Sequence, residues 1–217
     1  MKLVVVGGQA RKVGKTSVVA GLIRGLNTLA WTAVKISHHA GVAHSPHTSP
    51  ADDLPGHLDF LLSEEKASSG HGDTSRYLAA GARRALWLRV REGSLGQAVP
   101  SLLEALKGDE HVIIESNSIL AFLQPTVFLL VVGESGRESK ASARQFLGCA
   151  DGLVAMGADL RASDWPGISP QMLEVKPVFA VSRGEWSDPA LCRFVGERLV
   201  TAAGQGYPGP VMRSADL

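Results

Sequence analysis

The sequence predicts an α/β protein in three layers, with a mainly parallel sheet and helices on both faces. Two observations carry this prediction: apolar runs of strand length alternate with amphipathic helical patterns, and the first such run leads through a glycine-rich turn into a helix. Hydrophobic residues make up 45% of the 217 residues and charged residues 20%, which is sufficient for a substantial core. We expect one domain over residues 1–217.

Charge and cysteine content restrict the class of protein. The formal net charge is +1, from 22 basic and 21 acidic residues, so no global field would attract nucleic acid or a membrane surface. No apolar run approaches the roughly 20 residues of a membrane span, and the first run is too short for a secretory signal. Cys149 and Cys192 have no metal-binding spacing. We therefore expect a cytoplasmic protein with neither nucleic acid nor membrane as its partner.

The first predicted unit is strand, loop, helix and strand. Residues 3–6 form a β-branched apolar run, and the apolar residues between 18 and 26 fall on one helical face. Residues 31–36 give the second strand.

The segment 37–72 is predicted to be mostly loop, with a short helix around 57–63. It holds three prolines and six of the seven histidines, and such a long loop in a compact domain is usually functional or mobile.

The remaining elements continue the alternation. Further strands are predicted at 85–90, 111–115, 126–132, 152–156 and 178–181. Helices are predicted at 73–82, 139–147 and 189–200, and 101–106 is predicted to be part of another helix. The tail 204–217, with three glycines and two prolines, is predicted to be irregular.

The glycine-rich turn has the form of a Walker A phosphate loop, Gly-x5-Gly-Lys-Thr, between a strand and a helix. Backbone N–H groups of such a loop point at phosphate oxygens, and the helix dipole adds positive potential. Lys15 is predicted to reach the β- and γ-phosphates, and the Thr16 hydroxyl to bind Mg²⁺. The predicted nucleotide-binding residues are Gly8, Arg11, Lys12, Val13, Gly14, Lys15, Thr16 and Ser17.

The spacing within this loop carries a first resemblance. Gly8 and Gly14 enclose five residues, whereas four are usual. A longer loop ending Val13-Gly14-Lys15-Thr16 resembles that of dethiobiotin synthetases, although that family usually has an acidic residue at the position of Lys12.

Two later segments carry a second resemblance. The strand end 34–39, with Lys35, His38 and His39, and the segment 72–82, with Asp73 and Arg76, resemble the MobB family of molybdopterin-guanine-dinucleotide biosynthesis adapters. The resemblance spans about the first 120 residues and implies GTP binding, weak hydrolysis, a molybdenum-cofactor enzyme as partner and a homodimer.

Three further residues are candidates for the site. Glu115 ends an apolar strand, as in a Walker B motif, and would bind Mg²⁺ directly or through water. Asp73 is either a helix N-cap or a second Mg²⁺ ligand. Both resemblances place a lysine at Lys35, where it would contact a second substrate's anion. We therefore predict catalytic roles for Lys15, Lys35 and Glu115, and metal binding by Thr16, Asp73 and Glu115.

The histidine-rich loop leaves alternatives open. His38, His39, His44, His47, His57 and His71 could bind a transition metal if they converge, although their spacing matches no standard zinc site. Asp52 and Asp53 are alternatives to Asp73 as ligands of Mg²⁺.

Three functions are consistent with these residues. The first is a Mg²⁺-dependent nucleotide-binding protein of MobB type, with GTP favoured and ATP possible on the residues alone. The second is an ATP-dependent ligase of dethiobiotin-synthetase type, and the third is a metal-delivery GTPase.

Overall fold

The structure is a computed structural model of the chain, in which the placement of six segments is described. These segments are residues 1–39, 54–133, 140–157, 168–182, 184 and 188–201. Asp52, Asp53, His44, His47 and the tail 204–217 lie outside the described residues, so what the sequence indicates for them stays a prediction.

A single sheet of eight strands forms the centre of the described part of the chain. The strands are β1 (Lys2–Gly8), β2 (Trp31–His39), β3 (Phe60–Glu64), β4 (Arg84–Arg91), β5 (His111–Glu115), β6 (Val127–Val132), β7 (Gly152–Met156) and β8 (Val178–Val181). Their order is β3-β4-β2-β5-β1-β6-β7-β8. Every neighbouring pair is parallel except β3 and β4, which are antiparallel. The predicted mainly parallel α/β architecture is confirmed.

Six α-helices connect the strands in the described segments. They are α1 (Lys15–Gly25), α2 (Asp73–Ala79), α3 (Leu95–Ala105), α4 (Ala141–Phe146), α5 (Pro170–Val175) and α6 (Pro189–Thr201), and short 3₁₀ turns occur at Ser118–Ala121 and Leu147–Cys149. Among these helices, none is both long and apolar enough to cross a bilayer.

The strand side chains divide between two hydrophobic clusters, one on each face of the sheet. In β1, Leu3 and Val5 belong to one cluster, and Val4 and Val6 to the other. Residues of α3 and α4 join the first cluster, and residues of α1, α2 and α6 join the second. Both faces of β1 are therefore buried, which explains why its sequence is a continuous apolar run without alternation.

The strand register places residues near the C-terminal ends of β1, β2 and β5 side by side. Val6 of β1 and Lys35 of β2 both pair with Glu115, the last residue of β5. Parallel strands all end at the same edge of the sheet, and the loop after β1 begins there. The fold therefore brings the loop, Lys35 and Glu115 together.

The segment 54–72 differs from its prediction. The short helix predicted around 57–63 is wrong, because Phe60–Glu64 is a strand that pairs with β4 at the sheet edge. Phe60 and Leu62 both pack on the first cluster. Their spacing of two residues indicates a strand. His38 and His39, predicted to start the long loop, lie in β2, and α5 was not predicted at all.

Candidate functional site

The loop between β1 and α1 has an unusual backbone. Lys12, with φ of 57°, and Gly14, with φ of 103°, both adopt the left-handed conformation. For Lys12, which carries a Cβ atom, this conformation costs about 1–2 kcal/mol. Strained residues persist where surrounding structure holds them, and they occur frequently at ligand sites.

Gly8 is required by the path of the Lys15 side chain. A Cβ atom at Gly8 would lie 2.6 Å from Cδ and 2.7 Å from Cγ of Lys15. The lysine therefore folds back over the start of the loop, where its Nζ donates a hydrogen bond to the Ala10 carbonyl at 3.4 Å. Val13 is buried in the second cluster, so its side chain is a core contact.

Asn117, just after the neighbouring strand β5, fixes the start of the loop. Its Oδ1 accepts the Gly8 N–H at 2.7 Å, and its Nδ2 donates to the Gly8 carbonyl at 2.9 Å and to Ser142 Oγ at 3.2 Å. We did not assign Asn117 from the sequence. Its position two residues after β5, the neighbour of β1, was the available signal.

Glu115 is the centre of the charged cluster at the carboxyl end of the sheet. Its side chain is only 2% exposed. Oε2 accepts the Thr16 hydroxyl at 2.8 Å and also the Tyr77 hydroxyl, while Oε1 accepts Lys35 Nζ at 2.5 Å. Lys15 Nζ lies 3.9 Å from Oε1. The carboxylate is thus held by residues from α1, β2 and α2.

Lys35 joins the two candidate metal-binding carboxylates. Its Nζ is 2.8 Å from Asp73 Oδ2 as well as 2.5 Å from Glu115 Oε1. Burial alone would lower the pKa of Lys35, but the negative charges of Glu115 and Asp73 outweigh burial and raise it. Burial would raise the pKa of Asp73, and Lys35 lowers it overall. Both groups are therefore stabilised in their charged forms.

Lys15 has a different environment. Burial, which is the largest influence, lowers the pKa of Lys15, and the nearby positive charges of Lys35 and Lys140 act in the same direction. The attraction of Glu115 only partly compensates. An anion beside Lys15 would therefore stabilise its charged form.

Two residues of α2 complete the cluster. Arg76 donates from Nη2 to Ser17 Oγ at 2.9 Å, and its Nη1 is 3.8 Å from Asp73 Oδ1. Tyr77 is completely buried, and burial together with the negative charge of Glu115 raises its pKa well above the usual value. Its phenol therefore stays protonated and donates to Glu115. Sequence reasoning missed Tyr77, whose only signal was its place four residues after Asp73, on the same helical face.

A cleft of about 1680 Å³ lies over this cluster. Most of the predicted site residues line it, namely Arg11, Lys12, Val13, Gly14, Lys15, Thr16, Ser17, Lys35, Asp73 and Glu115. Gly8 lies beneath the folded Lys15 side chain instead. The cleft is wide enough for a drug-sized or larger ligand, because such sites usually measure about 300–1,000 Å³.

The described histidines form no metal-binding cluster. His38 Nε2 is hydrogen-bonded to Ser118 Oγ at 2.7 Å, and His39 Nε2 to Ser37 Oγ at 3.1 Å. Burial lowers the pKa of His38. Among the residues with described placement, no group of three or more His, Cys, Asp or Glu side chains is arranged to hold a metal ion.

A strand that leads through a loop into a helix N-terminus, with charged residues at the carboxyl ends of parallel strands, is an arrangement that can bind an anion. No family model and no curated protein matches the chain. Among solved structures, HypB from Helicobacter pylori in complex with nickel is similar at 14% identity and a TM-score of 0.48, over 94% of this chain and 88% of that one. A likeness this distant says nothing about the ligand of this chain.

Proposed function

We propose that the chain has the three-layer fold of P-loop NTPases, binds a nucleoside triphosphate with Mg²⁺ and hydrolyses it slowly. The observation that carries the proposal is the meeting of Lys15, Thr16, Lys35 and Glu115 in one cleft beside the loop of β1. Two lysines and a hydroxyl–carboxylate pair are the groups needed to bind a triphosphate and its cation.

The phosphate groups would bind at Lys15 and the loop. Lys15 is largely buried, and its pKa is lowered because the negative charge of Glu115 does not fully compensate burial. The α1 N-terminus begins at the same residue, and its unpaired N–H groups favour an anion. Both features support a polyanion as the ligand.

The donor set at Thr16 and Glu115 fits Mg²⁺. Thr16 Oγ1 and Glu115 Oε2 are 2.8 Å apart, and both are hard oxygen ligands of the type that Mg²⁺ prefers. When bound, this cation would neutralise charge on the β- and γ-phosphates. Asp73, on the opposite side of Lys35, is the second candidate carboxylate.

Hydrolysis in this proposal depends on charge and positioning. Lys15 and Lys35 would neutralise charge that develops on the transferred phosphoryl group, and Glu115 would hold the hydroxyl of Thr16 in place. None of these groups forms a covalent intermediate in this scheme. The resemblance to MobB proteins implies weak hydrolysis, so we expect slow turnover.

The finer proposal is a MobB-like protein that uses GTP and serves a molybdenum-cofactor enzyme. It is supported by the order of Lys35, His38, His39 and Asp73 along the chain. GTP preference in a titration agrees with it, whereas ATP preference favours the ligase alternative. The metal-delivery alternative depends on histidines of the loop 37–72 binding the ion, and tight stoichiometric binding of Ni²⁺ or Zn²⁺ would support it.

The test of nucleotide binding is a calorimetric titration with GTP and with ATP, each with and without Mg²⁺. We expect Lys15→Ala to weaken binding at least about tenfold, which is about 1.4 kcal/mol. Lys2→Ala is the matched control, because it removes the same charge at the opposite end of β1, where Lys2 pairs with Glu110. Equal affinity of the two variants would contradict the site, and absence of binding by the wild type would contradict the function.

A further inference from the structure

Tyr77 is a buried polar residue behind the cleft. It lies in α2, is 0% exposed, and packs in the second hydrophobic cluster with its ring among apolar side chains. Its hydroxyl donates to Glu115 Oε2. Unlike Lys15, Lys35 and Thr16, it does not line the cleft. A ligand in the cleft would therefore not touch Tyr77.

The Glu115 carboxylate has two oxygen atoms with different partners. Oε1 accepts from Lys35, while Oε2 accepts from both Thr16 and Tyr77. Thr16 and Lys35 stand on the cleft wall, where a nucleotide and its cation would also interact with them. Tyr77 is the donor to Glu115 that no ligand in the cleft would contact.

We propose that Tyr77 is a positioning residue that fixes the orientation of the Glu115 carboxylate for binding the divalent cation of the nucleotide. This inference rests on the proposed nucleotide-binding function. The phenol hydroxyl fixes the rotation of the carboxylate about its last side-chain bond, so that Oε2 stays directed at Thr16. Because the hydroxyl is buried, water does not readily replace it.

Removal of the hydroxyl has a specific expected effect. Residues behind a metal ligand typically change metal affinity by about 10–100-fold when mutated. We therefore expect Tyr77→Phe to raise the Mg²⁺ concentration that gives the half-maximal change in mant-nucleotide fluorescence about tenfold. Nucleotide affinity measured in EDTA, which does not depend on the orientation of Glu115 toward a cation, should change less than about twofold. A residue that only filled the core would alter stability and leave the Mg²⁺ dependence unchanged.

The experiment is a Mg²⁺ titration of the protein with mant-GTP and with mant-ATP, followed by fluorescence. Wild type, Tyr77→Phe, Glu115→Gln and the double variant form a thermodynamic cycle. Trp31→Phe is the control for loss of stability. It removes a partly buried hydrogen bond of a residue in the same cluster, from Nε1 to the Leu26 carbonyl at 3.1 Å, at the opposite end of the sheet.

The outcomes separate the two proposals. The inference is supported if Tyr77→Phe raises the Mg²⁺ requirement in the wild-type background but changes it less than twofold in the Glu115→Gln background. The Mg²⁺ requirement of Trp31→Phe should equal that of the wild type. It is overturned, and nucleotide binding stands, if Tyr77→Phe leaves the Mg²⁺ requirement of a nucleotide-binding protein unchanged. Additive effects in the cycle also overturn it. A wild type that binds neither nucleotide overturns both.

Discussion

At the scale of single residues, the proposed site depends on a small set of mutually compensating charges. Lys35 lies between Glu115 and Asp73, and Glu115 is almost fully buried. Burying a carboxylate is costly unless a cation and hydrogen bonds compensate it. Lys35 is therefore needed for the stability of the ligand-free protein as well as for the proposed function.

The first prediction concerns the removal of this cation. Lys35→Met leaves Glu115 with the more distant Lys15 as its remaining positive partner, so we expect the free energy of unfolding to fall by about 3 kcal/mol. Lys107→Met is the control, because Lys107 pairs with Glu104 3.6 Å away on the surface. That pair should contribute less than about 1 kcal/mol.

Urea unfolding of the two variants gives the comparison. A loss of stability that is the same for Lys35→Met and Lys107→Met would mean that Glu115 tolerates burial without Lys35. The measurement is made without nucleotide, so its result is independent of the proposed function.

At the scale of elements, the turn from β1 into α1 sets the geometry of the proposed site. Gly14 precedes α1 with φ of 103°, a conformation that residues with a Cβ atom adopt at a cost. This turn directs the N-terminus of α1 toward the cleft. We therefore expect nucleotide binding at the proposed site to depend on the backbone conformation at Gly14.

A pair of glycine substitutions separates strain from function. Gly14→Ala and Gly108→Ala both place a Cβ atom in the left-handed region, and each should lower the free energy of unfolding by about 1–2 kcal/mol. At Gly108 the Cβ atom meets nothing within 4 Å, whereas at Gly14 it would lie 2.8 Å from Cε of Met156. We expect only Gly14→Ala to weaken nucleotide binding, by at least about tenfold.

Unfolding curves and nucleotide titrations of both variants check this prediction. If Gly108→Ala loses nucleotide affinity to the same extent, then the effect at Gly14 is general destabilisation and the loop has no special role.

At the scale of the whole molecule, the order of the strands sets where the described structure is most stable. β1 and β5 are each paired on both sides at the middle of the sheet, whereas β3 and β8 are edge strands. The site lies at the ends of the central strands. Stability that is concentrated there holds the catalytic candidates in position.

Native-state hydrogen exchange should follow this order. Amides of β1 and β5 are expected to exchange only by global unfolding, and those of β3 at least about tenfold faster by local opening. Exchange followed by mass spectrometry on fragments measures this difference. Equal protection of β3 and β1 would contradict it and would indicate that the edge strand is covered.

The sequence by itself determined the features that depend on neighbouring residues. The apolar runs, the helical periodicity and the phosphate-loop motif from Gly8 to Thr16 are local patterns, so the α/β class and most elements were predictable. The strand Phe60–Glu64 was missed because its period of two is short and lies beside a proline-rich segment.

Only the tertiary structure decided how the candidate site is assembled. Thr16 and Glu115 are 99 residues apart in sequence, Lys35 and Glu115 80, and Tyr77 and Glu115 38. Their meeting depends on strand order and register, which arise from packing of the whole sheet. The contacts of Tyr77 and Asn117 were therefore visible only in the structure, because a polar side chain shows its partner only in the folded chain.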